Sequence, residues 1–115
     1  MELSIIIVNF NTKGLTEQTI ESILKSTNNL NYQIIVVDNS SDLNQKYSST
    51  NENISVFHIV NNGFGNACNY GAKQALGKYL LFINSDTIVY DQTLKSCIDY
   101  FEHHANLGIL GCKIV

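Results

Sequence analysis

The sequence predicts an α/β fold: an open, doubly wound, mostly parallel sheet. Three observations predict it. Four short apolar runs recur along the 115 residues, helical repeats of apolar side chains lie between them, and each run ends in a polar cluster. Alternation of this kind implies strand–helix–strand units with right-handed crossovers.

The first run, Ser4–Asn9, carries Ile5, Ile6, Ile7 and Val8 without alternation. Continuous apolar runs suit strands covered on both faces, as parallel strands are. From Leu15 to Thr27, helical spacing gathers Ile20, Ile23 and Leu24 on one side. Tyr32–Asp38 is the second strand and the most hydrophobic. Residues 41–53 are polar and predict a loop carrying a short helix. Ile54–Val60 is the third strand. Phe64 to Leu76 holds the strongest helical repeat, with Phe64, Ala67, Cys68, Gly71, Ala72, Ala75 and Leu76 at i, i+3, i+4, i+7, i+8, i+11 and i+12. Tyr79–Asn84 is the fourth strand. Leu94, Cys97, Ile98 and Phe101 repeat the helical period across Asp91–His104, and Leu107–Val115 reads as a fifth strand that stops abruptly. Proline is absent, so nothing interrupts these helices. No linker, repeat or low-complexity tract divides the chain, so residues 1–115 read as one domain.

At 44% hydrophobic and 15% charged, the composition is that of a soluble globular domain. A net charge of −3 argues against nucleic acid as a partner. All seven basic residues are Lys. A phosphate bound here must meet Lys, backbone N–H groups or a metal ion, because no guanidinium fork exists. No segment reaches the ~20 apolar residues of a membrane span. The first residues lack the basic flank and cleavage site of a signal peptide. Cys68, Cys97 and Cys112 are widely spaced and form neither a disulfide framework nor a zinc motif. The cytoplasm is the expected compartment.

The functional signal lies in the residues just past each strand. The clusters are Asn9-Phe10-Asn11-Thr12, Asp38-Asn39-Ser40-Ser41, Asn61-Asn62-Gly63-Phe64-Gly65-Asn66 and Asn84-Ser85-Asp86-Thr87. In a parallel sheet all four lie at one rim, where α/β proteins bind ligands. The same residue types cap helices and make turns, so each cluster alone has both readings. Asp38 can accept hydrogen bonds from a base or ribose, or cap the next segment. Asp86 can hold Mg²⁺ or Mn²⁺, whose remaining positions a diphosphate would fill, or cap a turn. The lack of Arg favours the metal. Gly63-Phe64-Gly65 opens a helix in the manner of a dinucleotide fingerprint, yet Cys68 replaces its third glycine and the motif follows the third strand. Lys13 and Lys73 are possible phosphate neighbours. His58 is expected to be a hydrogen-bonded core histidine, and His103 and His104 to be solvated.

Four segments in this order and spacing resemble the N-terminal half of family 2 glycosyltransferases with the GT-A fold: 4–11, 36–41, 61–71 and 81–87. The asparagine-rich third segment is most similar to the rhamnosyltransferase-like branch. The resemblance implies that Asn9, Phe10 and Asn11 lie against the base and ribose. It implies that Asp38 reads the base, and that Asn62, Gly63 and Asn69 flank the nucleotide and diphosphate. Asn84-Ser85-Asp86 stands where the family has its D-x-D motif, with Asp86 as metal ligand. Asn84 departs from that pattern and is assigned to ribose or water.

Family members transfer a sugar from a nucleotide-diphosphate donor, here expected to be UDP- or dTDP-linked, to an acceptor hydroxyl. The expected acceptor is a glycan or a lipid-linked acceptor, and the full-length protein is expected in the cytoplasm, peripheral at the inner face of the membrane. The family's catalytic base follows the D-x-D motif at a distance, and nothing here matches it. The chain is therefore expected to be a truncated donor half, inactive alone, with apolar Ile109, Leu110 and Ile114 inviting self-association. A nucleotidyltransferase, a Rossmann-type oxidoreductase and a non-catalytic α/β module are the competing readings.

Overall fold

The computed structural model describes residues 1–111. Four strands form one sheet: β1 (Leu3–Asn9), β2 (Tyr32–Asp38), β3 (Ile54–His58) and β4 (Tyr79–Ile83). Three helices connect or follow them: α1 (Lys13–Ser26), α2 (Phe64–Gln74) and α3 (Thr93–Glu102). The strand order is β3-β2-β1-β4, and every neighbouring pair is parallel. The order reverses between β1 and β4, so the crevice outside their carboxyl ends is the switch point of the sheet.

The pleat sorts the side chains into two cores. Ile5, Ile7, Ile34 and Val36 point to the face covered by Ile20 and Ile23 of α1 and Leu94 and Ile98 of α3. Ile6, Val8, Ile35 and Val37 point to the other face, against Ala67 and its neighbours on α2. Helices on both faces make the sheet doubly wound, as expected. Small residues let α2 lie close. A Cβ on Gly71 would stand 2.7 Å from Ile6 Cγ2 and 3.1 Å from Val37 Cγ2.

The strands and helices fall where the apolar pattern put them, with shorter ends at β3, β4, α2 and α3, while α1 begins two residues earlier and ends one earlier than expected. The short helix expected within 41–53 is a single 3-10 turn, Leu43–Gln45. Two expectations change. Residues 107–111 form no strand, and 112–115, with Cys112 and Ile114, lie outside the described residues. Among the described residues the fourth strand is not covered on both faces. α2 packs on β1 and β2, so Leu80 (46% exposed) and Phe82 (50%) face outward on an open edge. An apolar run marks a strand but does not say whether a helix reaches it.

Candidate functional site

Parallel pairing brings the four polar clusters to one rim. Asn9 is in register with Asp38, and Ile7 with both Val36 and Ile83. Asp38 and Asp86 are thus at the same edge of the sheet, as the sequence pattern required.

Their environments differ. The side chain of Asp38 is fully buried. Its Oδ1 accepts the Ser40 backbone N–H at 3.0 Å, and its Oδ2 accepts that of Tyr47 at 2.6 Å. His58 Nδ1, from the end of β3, lies 3.4 Å from Oδ2. Burial pushes the carboxyl up, but hydrogen bonds from Ser40, the Tyr47 backbone and the Asn9 side chain outweigh it. The carboxyl therefore lies below its ordinary value and stays ionised inside the protein.

Asn9 is also fully buried. Its Oδ1 accepts the hydroxyls of Thr16 at 2.7 Å and Thr12 at 3.2 Å. Its Nδ2 donates to the Gln45 carbonyl at 2.9 Å and to Ser40 Oγ at 3.2 Å. That inventory satisfies the amide completely. Asn11, at φ 54°, bonds Ser41 Oγ through its amide and accepts the Asp42 N–H, so it ties the first loop to the second. Asn9, Asn11 and Asp38 were expected to face the ligand. The tertiary structure instead encloses Asn9 and Asp38 and engages all three side chains with neighbouring loops.

A cleft of about 310 Å³ opens between the ends of β1 and β4, at the switch point. Phe10, Asn84 and Asp86 line it, with Val8, Leu15 and Phe64. Thr12 and Ser85, also in its wall, are hydrogen-bonded to each other at 3.1 Å. Thr19 Oγ1 donates to the Ser85 carbonyl at 2.8 Å, fixing the Asn84–Asp86 loop to α1. Asp86 is exposed, and no described group engages its carboxylate. Among the described residues no three acidic, His or Cys side chains cluster as a metal site. The donor set fits Mg²⁺ or Mn²⁺ in one way: a single hard carboxylate, with waters and substrate phosphates completing the shell.

Asn62, Gly63 and Asn69 are exposed and do not line this cleft. Gly63, at φ 96°, makes the turn into α2. Lys73 is in the last turn of α2, roughly 13 Å along the helix from the rim, so it is not a phosphate neighbour. Lys13 begins α1 at the rim. His103 and His104 are exposed, with each Nδ1 donating to a carbonyl of its own helix, Asp99 and Tyr100. His58 is half exposed instead of enclosed in the core.

Asn39 was missed. It is 4% exposed, and its Oδ1 is buried without a partner. Asn61 Oδ1 accepts the Gly63 N–H at 3.0 Å and the Asn39 amide at 3.2 Å, which fixes the orientation of both amides. An unpaired buried acceptor costs about 1–3 kcal/mol. Sequence spacing held no signal for it, because Asp38 beside it is the more conspicuous residue.

A larger apolar groove of about 590 Å³ runs along the open edge of β4, walled by Leu80, Leu94, Ile98 and Phe101. It holds no carboxylate or histidine.

The sequence model of glycosyl transferase family 2 matches residues 4–114. An uncharacterized glycosyltransferase of Rickettsia bellii is 32% identical over 107 residues, covering 90% of this chain and 15% of that protein. TarS of Staphylococcus aureus, a poly(ribitol-phosphate) β-N-acetylglucosaminyltransferase, is 26% identical over 121 residues. The crystal structure of its residues 1–349 superposes with a TM-score of 0.74 at 25% identity, over 91% of this chain and 33% of that one. The mannosyltransferase PcManGT of Pyrobaculum calidifontis, solved with GDP-Man and Mn²⁺, shares the fold at a TM-score of 0.72 and 15% identity, over 87% of this chain and 32% of that one. The chain spans about a third or less of each of these proteins.

Proposed function

The chain belongs to glycosyl transferase family 2, and from that premise we propose that it is the donor-binding unit of a glycosyltransferase. Residues 1–115 bind a nucleotide-diphosphate sugar at the β1–β4 switch point. One observation carries this: a cleft at that point joins an unengaged carboxylate, Asp86, and an amide, Asn84, to the aromatic ring of Phe10. Family membership sets aside the oxidoreductase and nucleotidyltransferase alternatives.

The residues divide the work. Asp86 holds Mg²⁺ or Mn²⁺, with Asn84 beside it for a ribose hydroxyl or a bound water. When bound, the ion offsets the negative charge that develops on the leaving diphosphate. Phe10 gives the base a ring to stack on. Asp38, Asn9 and Asn11 act one layer back. They hold the loops that carry Asn39, Phe10 and Ser85, and so keep the cleft open before the ligand arrives.

After Asp86, the described carboxylates are Asp91, Asp99 and Glu102. Asp99 pairs with Lys95 and Glu102 with Lys78, both on the surface, and none lines the cleft. These residues alone are therefore proposed to bind donor without transferring sugar. TarS is named for poly(ribitol-phosphate), and that likeness supports a polymeric acceptor for the full-length protein, which we place at the inner face of the membrane. The asparagine-rich segment 61–69 supports the rhamnosyltransferase-like branch.

Calorimetry with millimolar UDP, dTDP and GDP, with and without Mn²⁺, tests the proposal. Metal-dependent binding of at least one is the expected result. A folded sample that binds none of them would end the donor-site reading.

A further inference from the structure

We propose that Phe64 is a base-stacking residue of the donor site, held at the cleft by the turn Asn61-Asn62-Gly63. The inference rests on the donor-binding reading and extends it to a side chain whose spacing had assigned it to the core.

Helical spacing grouped Phe64 with Ala67 and Gly71 on the sheet-facing side of α2. In the structure Ala67 and Gly71 are buried there, while Phe64 is 60% exposed. It is the first residue of α2 and overhangs the rim instead of reaching the core. It joins Val8, Phe10 and Leu15 as the apolar part of the cleft wall that also holds Asn84, Ser85 and Asp86. An aromatic ring left in water forfeits the burial it would gain in a core. Two such rings on one polar-edged cleft mark a ligand surface, unlike apolar residues scattered singly.

The chemistry of the ligand decides what the rings face. A nucleotide-diphosphate sugar has one flat π system, its base. Its sugars and phosphates need polar partners, which Asn84 and Asp86 supply. Stacking on an aromatic face tolerates any base. Phe64 therefore contributes affinity, while identity is left to hydrogen bonding.

The position of Phe64 is built, not incidental. Gly63 takes φ 96°, a conformation that favours glycine, and so turns the chain into α2. Asn61 Oδ1 clamps that turn by accepting the Gly63 N–H, and the Asn39 amide ties Asn61 to the loop after β2. The Gly63 carbonyl accepts the Ala67 N–H and starts the helix. Gly63 thus aims a side chain, where the fingerprint reading had it cradle a phosphate.

The full chain contains no Trp, so Phe64→Trp supplies a single Trp, which is excited selectively at the red edge where the six Tyr do not absorb. UDP, uridine and inorganic pyrophosphate are titrated with Mn²⁺ present, alongside calorimetry on the wild type, Phe64→Ala and Phe64→Tyr. Expected are quenching by UDP and uridine but not by pyrophosphate, and about tenfold weaker UDP binding by Phe64→Ala. Phe64→Tyr should bind as the wild type does, and pyrophosphate affinity should be the same in all. If the wild type binds UDP while Phe64→Ala binds equally well, the stacking role fails and the donor site stands. Quenching by pyrophosphate as strong as by UDP places the ring against the diphosphate and also overturns the proposal. A folded chain that binds neither UDP, dTDP nor GDP sinks both readings.

Discussion

Asp38 Oδ2 accepts the backbone N–H of Tyr47 at 2.6 Å, so a fully buried carboxylate at the end of β2 closes the loop beyond it. The second oxygen holds Ser40, which in turn accepts the Asn11 N–H through its hydroxyl. One side chain thereby shapes two of the four loops at the rim.

Removing it leaves buried donors unpaired. Asp38→Ala is expected to lower stability by about 2–4 kcal/mol, since hydrogen bonds to charged groups are the strong ones and their orphaned partners are costly. Urea denaturation followed by circular dichroism measures it. A loss of nucleotide affinity with no loss of stability would instead make Asp38 a direct ligand contact.

The same residue sets a pH dependence. Its folded pKa is depressed, so the unfolded chain binds the proton more readily. The stability it contributes is fully present above the unfolded value near 3.9 and is lost as pH falls through the folded value. Midpoints of urea unfolding should drop below about pH 4 in the wild type, and less steeply in Asp38→Asn.

Asn9→Leu should cost about 2–4 kcal/mol, because it strands the buried Thr16 hydroxyl and takes the amide donor from the Gln45 carbonyl. Amide hydrogen exchange in α1 and the 3-10 turn is the second readout, and both should open faster than in the wild type.

Asp86→Ala should behave in the opposite way. The residue is exposed and unengaged, so thermal stability should stay within about 0.5 kcal/mol of the wild type. The Mn²⁺-dependent part of nucleotide binding should disappear. Asn84→Asp should strengthen it by supplying a second carboxylate. Unchanged metal dependence in Asp86→Ala removes Asp86 from the metal site.

Gly71→Ala tests the close approach of α2. The new methyl would meet Ile6 Cγ2 at 2.7 Å, and Ile6 is buried and stiff at χ1. Overpacking of this kind costs about 1–3 kcal/mol. A stable Gly71→Ala with unchanged unfolding midpoint would mean that α2 lies further from the sheet.

The expectation of self-association rests on Ile109, Leu110 and Ile114; the half-exposed Leu80 and Phe82 of β4 offer a second surface on which to test it. Leu80→Thr combined with Phe82→Thr should lower the unfolding midpoint by less than the same changes in the core, because about half of each side chain is exposed. The weight-average mass by sedimentation at high concentration should fall. An identical mass in wild type and variant removes this surface as the contact.

The strands, the helices and the shared rim were legible in the sequence, because apolar spacing is a one-dimensional record of which faces meet a core. Ile34 to Val37 could be nothing but a covered strand, and its polar end had to share the rim with Asn9. The family was legible for the same reason: four segments in fixed order need no coordinates. What the sequence could not determine was which way each rim side chain turned. Asn9 and Asp38 carry the polar chemistry of ligand contacts, and so do Asn39 and Asn84. Only the tertiary structure encloses the first two and leaves Asn39 an unpaired acceptor and Asn84 exposed at the cleft, because that depends on loops drawn from residues 30 or more positions apart. Likewise Phe64 fits a buried helical repeat, and only the tertiary structure, which starts α2 at the rim, leaves it in the open.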